Sequence, residues 1–229
     1  MLSILFSSVG KKIINALTGL LLVLYTIAHL IGNLSLLRGD PEPFNKYAHF
    51  LESTGILLYF VEFGLLLIFL FHATAGVIVW LDKRKARPEG YAITADAGSP
   101  SKKTWSSKNM IITGLVLAVF TIIHVKGFKY GPGVGEGYLV TIDGVEMRDL
   151  YRLVIETFHN IYYVIGYTVA MILLGLHLRH GFWSAFQSLG VQHQKLVPLI
   201  YTVGILLAII LGIGFLFIPV YIYFTGGVA

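Results

Sequence analysis

Long apolar stretches separated by short polar segments make up most of the chain. Five of them are long enough to cross a bilayer, whose hydrocarbon core of about 30 Å takes roughly 20 apolar residues in a helix. They lie at about residues 13–37, 55–81, 110–128, 158–183 and 196–224. The pattern predicts an all-α membrane protein with five transmembrane helices, the first to fifth spans, in a single transmembrane domain over residues 1–229.

Two connecting segments have a distinct character. Asp82–Lys108 is rich in Pro, Gly, Ser and Lys, which is typical of solvated, irregular chain. After the third span, Asp143-Gly144 separates two short runs of β-forming residues, Tyr138–Ile142 and Val145–Met147. Because Asp-Gly is favoured in two-residue hairpin turns, a small β-hairpin is predicted there.

Positive charge is distributed unequally between the two ends of the predicted bundle. Consecutive spans run in opposite directions, so the 17 Lys and Arg residues divide into 11 on the side of the N-terminus and 6 on the other. Cytoplasmic loops are the more basic, so we expect a protein of the cytoplasmic membrane with its N-terminus inside and its C-terminus outside. "Inner" and "outer" below refer to this orientation. The basic pair Lys11-Lys12 leads directly into a full-length span, which we expect to be retained and not cleaved as a signal.

The composition of the chain limits its chemistry. It is 56% hydrophobic and 13% charged, with a mean hydropathy of +0.77. Its net charge of +5 is sorted by membrane side, which does not indicate a nucleic-acid surface. The absence of cysteine excludes disulfides, thiolate-bound iron–sulfur clusters and covalently attached c-type haem in this chain. A metal here must be held by His or carboxylate.

Each of the first four spans contains one histidine at membrane depth: His29, His72, His124 and His177. Such a residue is costly in hydrocarbon and indicates function, although one alone can equally be structural. At 1.5 Å per residue, His29 and His124 lie roughly 24 and 21 Å from the inner side. The second and fourth spans run the other way, so His72 and His177 fall near the inner face.

The four histidines therefore form two layers, an outer pair (His29 and His124) and an inner pair (His72 and His177), separated by roughly 15 Å. Two imidazoles from facing helices are a common ligand set for b-type haem, one on each side of the iron. Zinc fits less well, because it takes three or four ligands at one depth. The first four spans are thus predicted to form a bundle that binds two haems b, with these histidines as axial iron ligands.

The remaining histidines are expected to have other roles. His49 and His193 are predicted in loops and His159 at the outer end of the fourth span, where solvated or interfacial side chains are more common. His180, three residues after His177, is the competing ligand, although it lies nearer the inner surface, where it could instead bond a haem propionate. Basic and Trp side chains at the inner boundary are either interfacial anchors or further propionate contacts: Lys11, Lys12, Arg179 and Trp183.

Glu62 is the one carboxylate well inside a predicted span. It lies seven residues from Gly55, roughly 10 Å from the outer side and close to the depth of the outer pair. A quinone that takes up or releases protons needs such a group nearby. We expect either proton handling at an outer quinone site or a buried structural carboxylic acid.

A series of short motifs runs through the first four spans in a fixed order. It consists of Thr18-Gly19, His29 with Gly32-Asn33, Phe71-His72, His124, and His177 followed by Gly181, Trp183, Ser184, Ser188 and Gly190. In this order, and over nearly the whole chain, they resemble the five-helix, di-haem cytochrome b558 subunits of succinate dehydrogenase and fumarate reductase. In that family the first and third spans hold one haem and the second and fourth hold the other, nearer the soluble subunits. The family's pattern also favours His177 over His180 as the ligand.

The resemblance implies a membrane anchor of a larger succinate:quinone oxidoreductase that binds no dicarboxylate itself. A flavoprotein subunit would interconvert succinate and fumarate, an iron–sulfur subunit would bring electrons to the cytoplasmic face, and this chain would pass them to a membrane quinone, often menaquinone in the family. Contacts with lipid and a higher oligomer of the complex also fit. Two alternatives stay open: a di-haem subunit of another dehydrogenase, of the hydrogenase or formate dehydrogenase type, and a haem-free transporter that relays protons.

Overall fold

The computed structural model describes residues 7–86, 105–191 and 193–227. Within them, five helices are long and apolar enough to cross a bilayer, which confirms the predicted all-α membrane fold. The first to fifth spans are α1 (Ser8–Asn33), α3 (Ile56–Ala86), α5 (Met110–His124), α7 (Ile161–Ser188) and α8 (Leu196–Thr225). The first continues as a 3₁₀ turn over Leu34–Arg38, and the third as a π-helical turn over Val125–Lys129.

Shorter elements connect the spans. They are α2 (Pro41–Ser53), α4 (Trp105–Lys108), a 3₁₀ turn (Val134–Glu136), strands β1 (Leu139–Ile142) and β2 (Val145–Arg148), and α6 (Leu150–Phe158). The strands pair antiparallel with Leu139 opposite Arg148, which confirms the predicted hairpin. Asp143 and Gly144 have φ of 52° and 76°, the positive values that a primed two-residue turn requires.

Some predicted boundaries were wrong. The second span extends to Ala86, so the first five residues of the predicted irregular segment Asp82–Lys108 are helical; three cations in its last turn favour this extension by opposing the helix dipole. Trp105–Lys108 is also helical, and residues 87–104 lie outside the described residues. The fourth span begins at Ile161 because the Asn160 side chain caps it, accepting from the Tyr162 N–H at 3.0 Å.

Two of the remaining histidines also lie elsewhere than predicted. His49 belongs to α2, which starts where the Asp40 side chain accepts from the Glu42 N–H and Pro41 occupies the first turn. His159 follows the end of α6 and precedes the fourth span, while His193 lies in irregular chain as expected.

The packing of the spans surrounds the histidines with the first four helices. The first span contacts the second and the fourth, and the third contacts the fourth. The fifth span packs mainly against the fourth, where a Cβ at Gly175 would meet the Ala208 carbonyl oxygen at 3.2 Å and Gly212 Cα at 3.8 Å, and it also contacts the first span. Small residues at such a crossing let two membrane helices approach closely.

An outer cap, formed by α2, the hairpin and α6, covers the outer end of the bundle. Asn45 has no exposed surface; its amide donates to Asp149 at 2.9 Å and its oxygen accepts from the Tyr151 N–H at 2.9 Å. The Tyr151 hydroxyl donates to the Gly227 carbonyl at 2.6 Å, which ties α6 to the end of the fifth span. Arg148 donates to backbone carbonyls beyond the third span, including that of Phe128 at 2.8 Å.

Replacing Asn45 should loosen the outer cap. In Asn45→Ala the buried Tyr151 N–H loses its acceptor, which costs about 1–3 kcal/mol. Hydrogen exchange should therefore quicken in α2 and α6 while the spans stay protected. Glu52→Ala, at an exposed position near the end of α2, should leave exchange unchanged; equal protection in both variants would contradict this account of the cap.

Candidate functional site

The inner pair lies between the second and fourth spans. The rings of His72 and His177 are 6.3 Å apart between centroids, at an interplanar angle of 73°. The Nδ1 atom of His72 is 3.1 Å from the Asn15 carbonyl oxygen, which can only accept, so this nitrogen carries the proton. The Nε2 atom of His72 is then free to act as a ligand.

His177 is held in the same way by the third span. Its Nδ1 atom is 3.0 Å from the Thr113 hydroxyl, and that hydroxyl donates its own proton to the Met110 carbonyl at 3.1 Å. Thr113 therefore accepts from Nδ1–H, which again leaves Nε2 without a proton.

Two glycines face the rings of the inner pair. A Cβ added at Gly19 would lie 3.0 Å from Cε1 of His72, and one at Gly114 would lie 3.3 Å from Cε1 of His177. The two glycines give the inner rings room in the bundle. Gly175, by contrast, serves the contact with the fifth span described above.

The outer pair joins the first and third spans. The rings of His29 and His124 are 5.7 Å apart, at an angle of 87°. The Tyr167 hydroxyl of the fourth span lies 3.1 Å from Nδ1 of His124. Tyr25 stacks on His29 at 5.5 Å and 15°. Asn33 donates to the His29 carbonyl at 2.7 Å, and its amide nitrogen is 3.5 Å from both ring nitrogens of His29.

The two layers are separated by the same distance on three helices. Gly19 faces the inner pair and His29 follows ten residues later; Gly114 faces it and His124 follows ten later; Tyr167 faces the outer pair and His177 follows ten later. Ten residues of α-helix span about 15 Å, in agreement with the separation inferred from the sequence.

The paired rings lie at about the separation that two imidazoles sharing a metal ion would have. Imidazole nitrogens bind metal ions at about 2.0–2.1 Å, so two that share an ion hold their ring centres roughly 6 Å apart. The observed 6.3 and 5.7 Å agree with this value. Among the described residues no three His, Cys, Asp or Glu side chains are grouped to hold an ion, which argues against zinc.

The other predicted inner contacts are spread around the bundle. Lys11 forms an ion pair with Asp82 at 2.7 Å, while Lys12 and Arg179 are exposed. Trp183 is 5% exposed and packs edge-on against Tyr201 of the fifth span at 6.3 Å. His180 is only partly buried, and it is His177 whose ring lies against His72.

Glu62 forms an ion pair that was not predicted, with Lys129 of the third span. Both side chains are partly exposed, at 29% and 38%. Lys129 is the last residue of the π-helical turn that follows His124.

An open, mostly apolar groove of about 360 Å³ runs between the outer half of the first span and α2. Its walls are Ala28, Ile31, Gly32, Ser35, Pro43 and Tyr47. Gly32 lets the Tyr47 ring approach, because a Cβ at Gly32 would come within 2.5 Å of that ring. The groove therefore lies on the helix turn that carries His29.

Sequence reasoning missed four residues of this site: Asn15, Thr113, Lys129 and Tyr167. A signal was present for Tyr167, since it stands ten residues before His177, the spacing that brings it to the depth of the outer pair. Thr113 directly precedes Gly114, which faces His177.

The comparison with protein families adds an independent finding. A family model described as succinate dehydrogenase/fumarate reductase transmembrane subunit matches residues 13–97. The match covers the first two spans. The match supports the predicted resemblance, and the five apolar helices make the chain a multi-pass membrane protein.

The match to the succinate dehydrogenase/fumarate reductase family covers less than half of the chain. It includes His29, Glu62 and His72 and leaves out His124 and His177. No curated protein and no solved structure matches the chain. The third and fourth spans therefore lie outside the part of the chain that matches a known family.

Crowding the inner pair should destabilise this membrane protein. Gly19→Val would place methyl groups against the His72 ring, which is held by the Asn15 carbonyl, and overpacking of this kind costs about 1–3 kcal/mol. Thermal unfolding in detergent should shift to lower temperature. The same change at Gly64, where a Cβ would meet nothing within 4 Å, should not; equal shifts would refute the close fit at Gly19.

Proposed function

We propose that this chain is the di-haem cytochrome b anchor of a succinate:quinone oxidoreductase, passing electrons between an iron–sulfur subunit and membrane quinone. One observation carries the proposal: two histidine pairs lie at two depths with ring centroids 5.7 and 6.3 Å apart. The family match supports the same class of enzyme complex. The chain itself would bind no succinate or fumarate.

The histidines of each pair would bind one haem b. His72 and His177 present Nε2 because a carbonyl and a hydroxyl hold their Nδ1 protons. His29 and His124 would bind the outer haem. When bound, haem supplies reversible one-electron oxidation and reduction within the bilayer. The surrounding helices orient the rings and keep water from them.

Quinone chemistry would take place near the outer pair. Quinol oxidation releases two electrons and two protons, and the Glu62 carboxylate can accept one of these protons. Lys129 holds this carboxylate at the outer end of the bundle. The adjoining groove beside Tyr47 is apolar and open, as an isoprenoid quinone such as menaquinone requires.

The soluble partners would dock on the opposite, more basic side. This is the side on which Lys83, Arg84 and Lys85 extend the second span. With the cytoplasmic side assigned by positive charge, the iron–sulfur and flavoprotein subunits lie inside and the outer cap faces the exterior. Exposed aromatic residues ring the outer end, as at a membrane interface: Phe50, Tyr59, Phe60, Tyr130, Tyr162 and Phe224.

Haem content should depend on His177 and not on His180. The purified complex should show b-type bands in a reduced-minus-oxidised spectrum, with two haems per chain. His177→Ala should lose one of the two, because the inner iron loses an axial ligand, whereas His180→Ala should keep both. A complex without b-type bands would sink the proposal, and loss of haem in His180→Ala alone would reassign the ligand.

Removing the Glu62 carboxylate should slow quinone turnover without removing haem. Loss of a general acid–base group typically costs about 10²–10⁴-fold in rate. Glu62→Gln should therefore lower turnover and change its pH dependence while the haem spectrum stays as in the wild type. Glu52→Gln is the matched control at an exposed outer position. Unchanged turnover and pH profile in Glu62→Gln would leave this residue a structural role.

A further inference from the structure

We infer that Thr113 and Tyr167 are positioning residues, one for each haem, and that the third and fourth spans hold each other's iron ligands. Thr113 of the third span holds His177 of the fourth, and Tyr167 of the fourth holds His124 of the third. The inference rests on the proposed function, since it concerns the residues that set the electron affinity of each haem.

Thr113 is committed to the inner ligand by its burial and its own hydrogen bond. The residue is 1% exposed, so solvent does not compete for its hydroxyl. The hydroxyl proton goes to the Met110 carbonyl at 3.1 Å, and the oxygen accepts from His177 at 3.0 Å. Valine has the same shape without this acceptor, whereas serine keeps it.

Tyr167 is held toward the outer ligand by aromatic packing. The residue is 9% exposed, and its ring lies edge-on against Phe120 at 4.8 Å and Phe158 at 4.9 Å. Its hydroxyl is 3.1 Å from Nδ1 of His124. With iron on Nε2, Nδ1 carries the proton, so the phenol oxygen accepts it. Phenylalanine keeps the ring packing and removes the acceptor.

The ligands from the first two spans are held differently. His72 donates to the backbone carbonyl of Asn15 at 3.1 Å, which no substitution removes. The Thr18 hydroxyl is farther from the same nitrogen, at 3.4 Å, and donates its own proton to the Ile14 carbonyl. His29 stacks on Tyr25, and Asn33 makes its short bond to the His29 carbonyl and not to the ring. Each haem therefore has one ligand held chiefly by a side-chain hydroxyl, which can be removed without deleting a ligand.

Removing either hydroxyl should change one haem in a known direction. A hydrogen bond from Nδ1–H makes the imidazole a stronger electron donor and favours ferric iron. Losing the acceptor favours ferrous iron and raises the midpoint potential of that haem. A net hydrogen bond is worth roughly a two- to tenfold change in an equilibrium, here the ferrous-to-ferric ratio at a fixed ambient potential.

The test is a redox titration of the intact complex, followed optically and by low-temperature electron paramagnetic resonance. His177→Ala, which should keep only the outer haem, assigns the signals. Thr113→Val should raise the ferrous fraction of the inner haem alone, and Thr113→Ser should restore the wild-type value. Tyr167→Phe should raise the ferrous fraction of the outer haem alone. Matched controls on the same spans are Thr121→Val, whose hydroxyl bonds its own helix backbone, and Tyr163→Phe, one turn away.

Each further outcome decides the inference. The inference is overturned, while the di-haem function stands, if both haems are retained and neither midpoint potential changes. The same conclusion follows if both midpoint potentials change together in each variant. If a variant assembles without a haem, loss confined to the haem whose ligand is held supports the inference, and any other loss overturns it. A wild-type complex without b-type haem would instead overturn the proposed function.

Discussion

Placing four imidazole rings inside an apolar bundle is the constraint on which the rest of this structure depends. Each ring has two nitrogens that must find partners away from water. The structure satisfies one nitrogen of three of the rings with a group from a neighbouring span: the Asn15 carbonyl, the Thr113 hydroxyl and the Tyr167 hydroxyl. In the proposed function, the opposite nitrogens of each pair would hold one haem iron.

Packing around the rings follows from the same constraint. Glycines at positions 19 and 114 make room for imidazoles, whereas Gly175 and Gly212 serve only to bring the fourth and fifth spans together. The fifth span contributes no paired histidine; it supports the fourth span and places the Phe215 ring 5.7 Å from that of His29. At the outer end, Arg148 binds the Phe128 carbonyl and Asn45 accepts from the Tyr151 N–H. The polar cap thus closes the bundle without entering it.

Much of the fold could be predicted because its signals are long or chemically distinctive. Apolar length identified five spans, Asp143-Gly144 identified the hairpin, and the direction of each span sorted four histidines by depth. The helix α2 was not predicted, although Asp40-Pro41 is a recognisable start signal, because a short polar helix has no long apolar stretch. The Glu62–Lys129 ion pair was not predictable, since it depends on a π-helical turn that moves Lys129 around its helix axis.

The alternation of the pairs has a consequence for how the protein is made. Each pair takes one histidine from each of two spans that are separated by another span. A long stretch of chain must therefore be synthesised between the two histidines of a pair. His124 completes the outer pair, and His177, 53 residues later in the sequence, completes the inner one. At about 5–20 residues per second of synthesis, roughly 3–10 seconds separate these events. The outer pair is therefore synthesised first. A nascent chain stopped between the third and fourth spans would contain the outer pair and, of the inner pair, His72 alone.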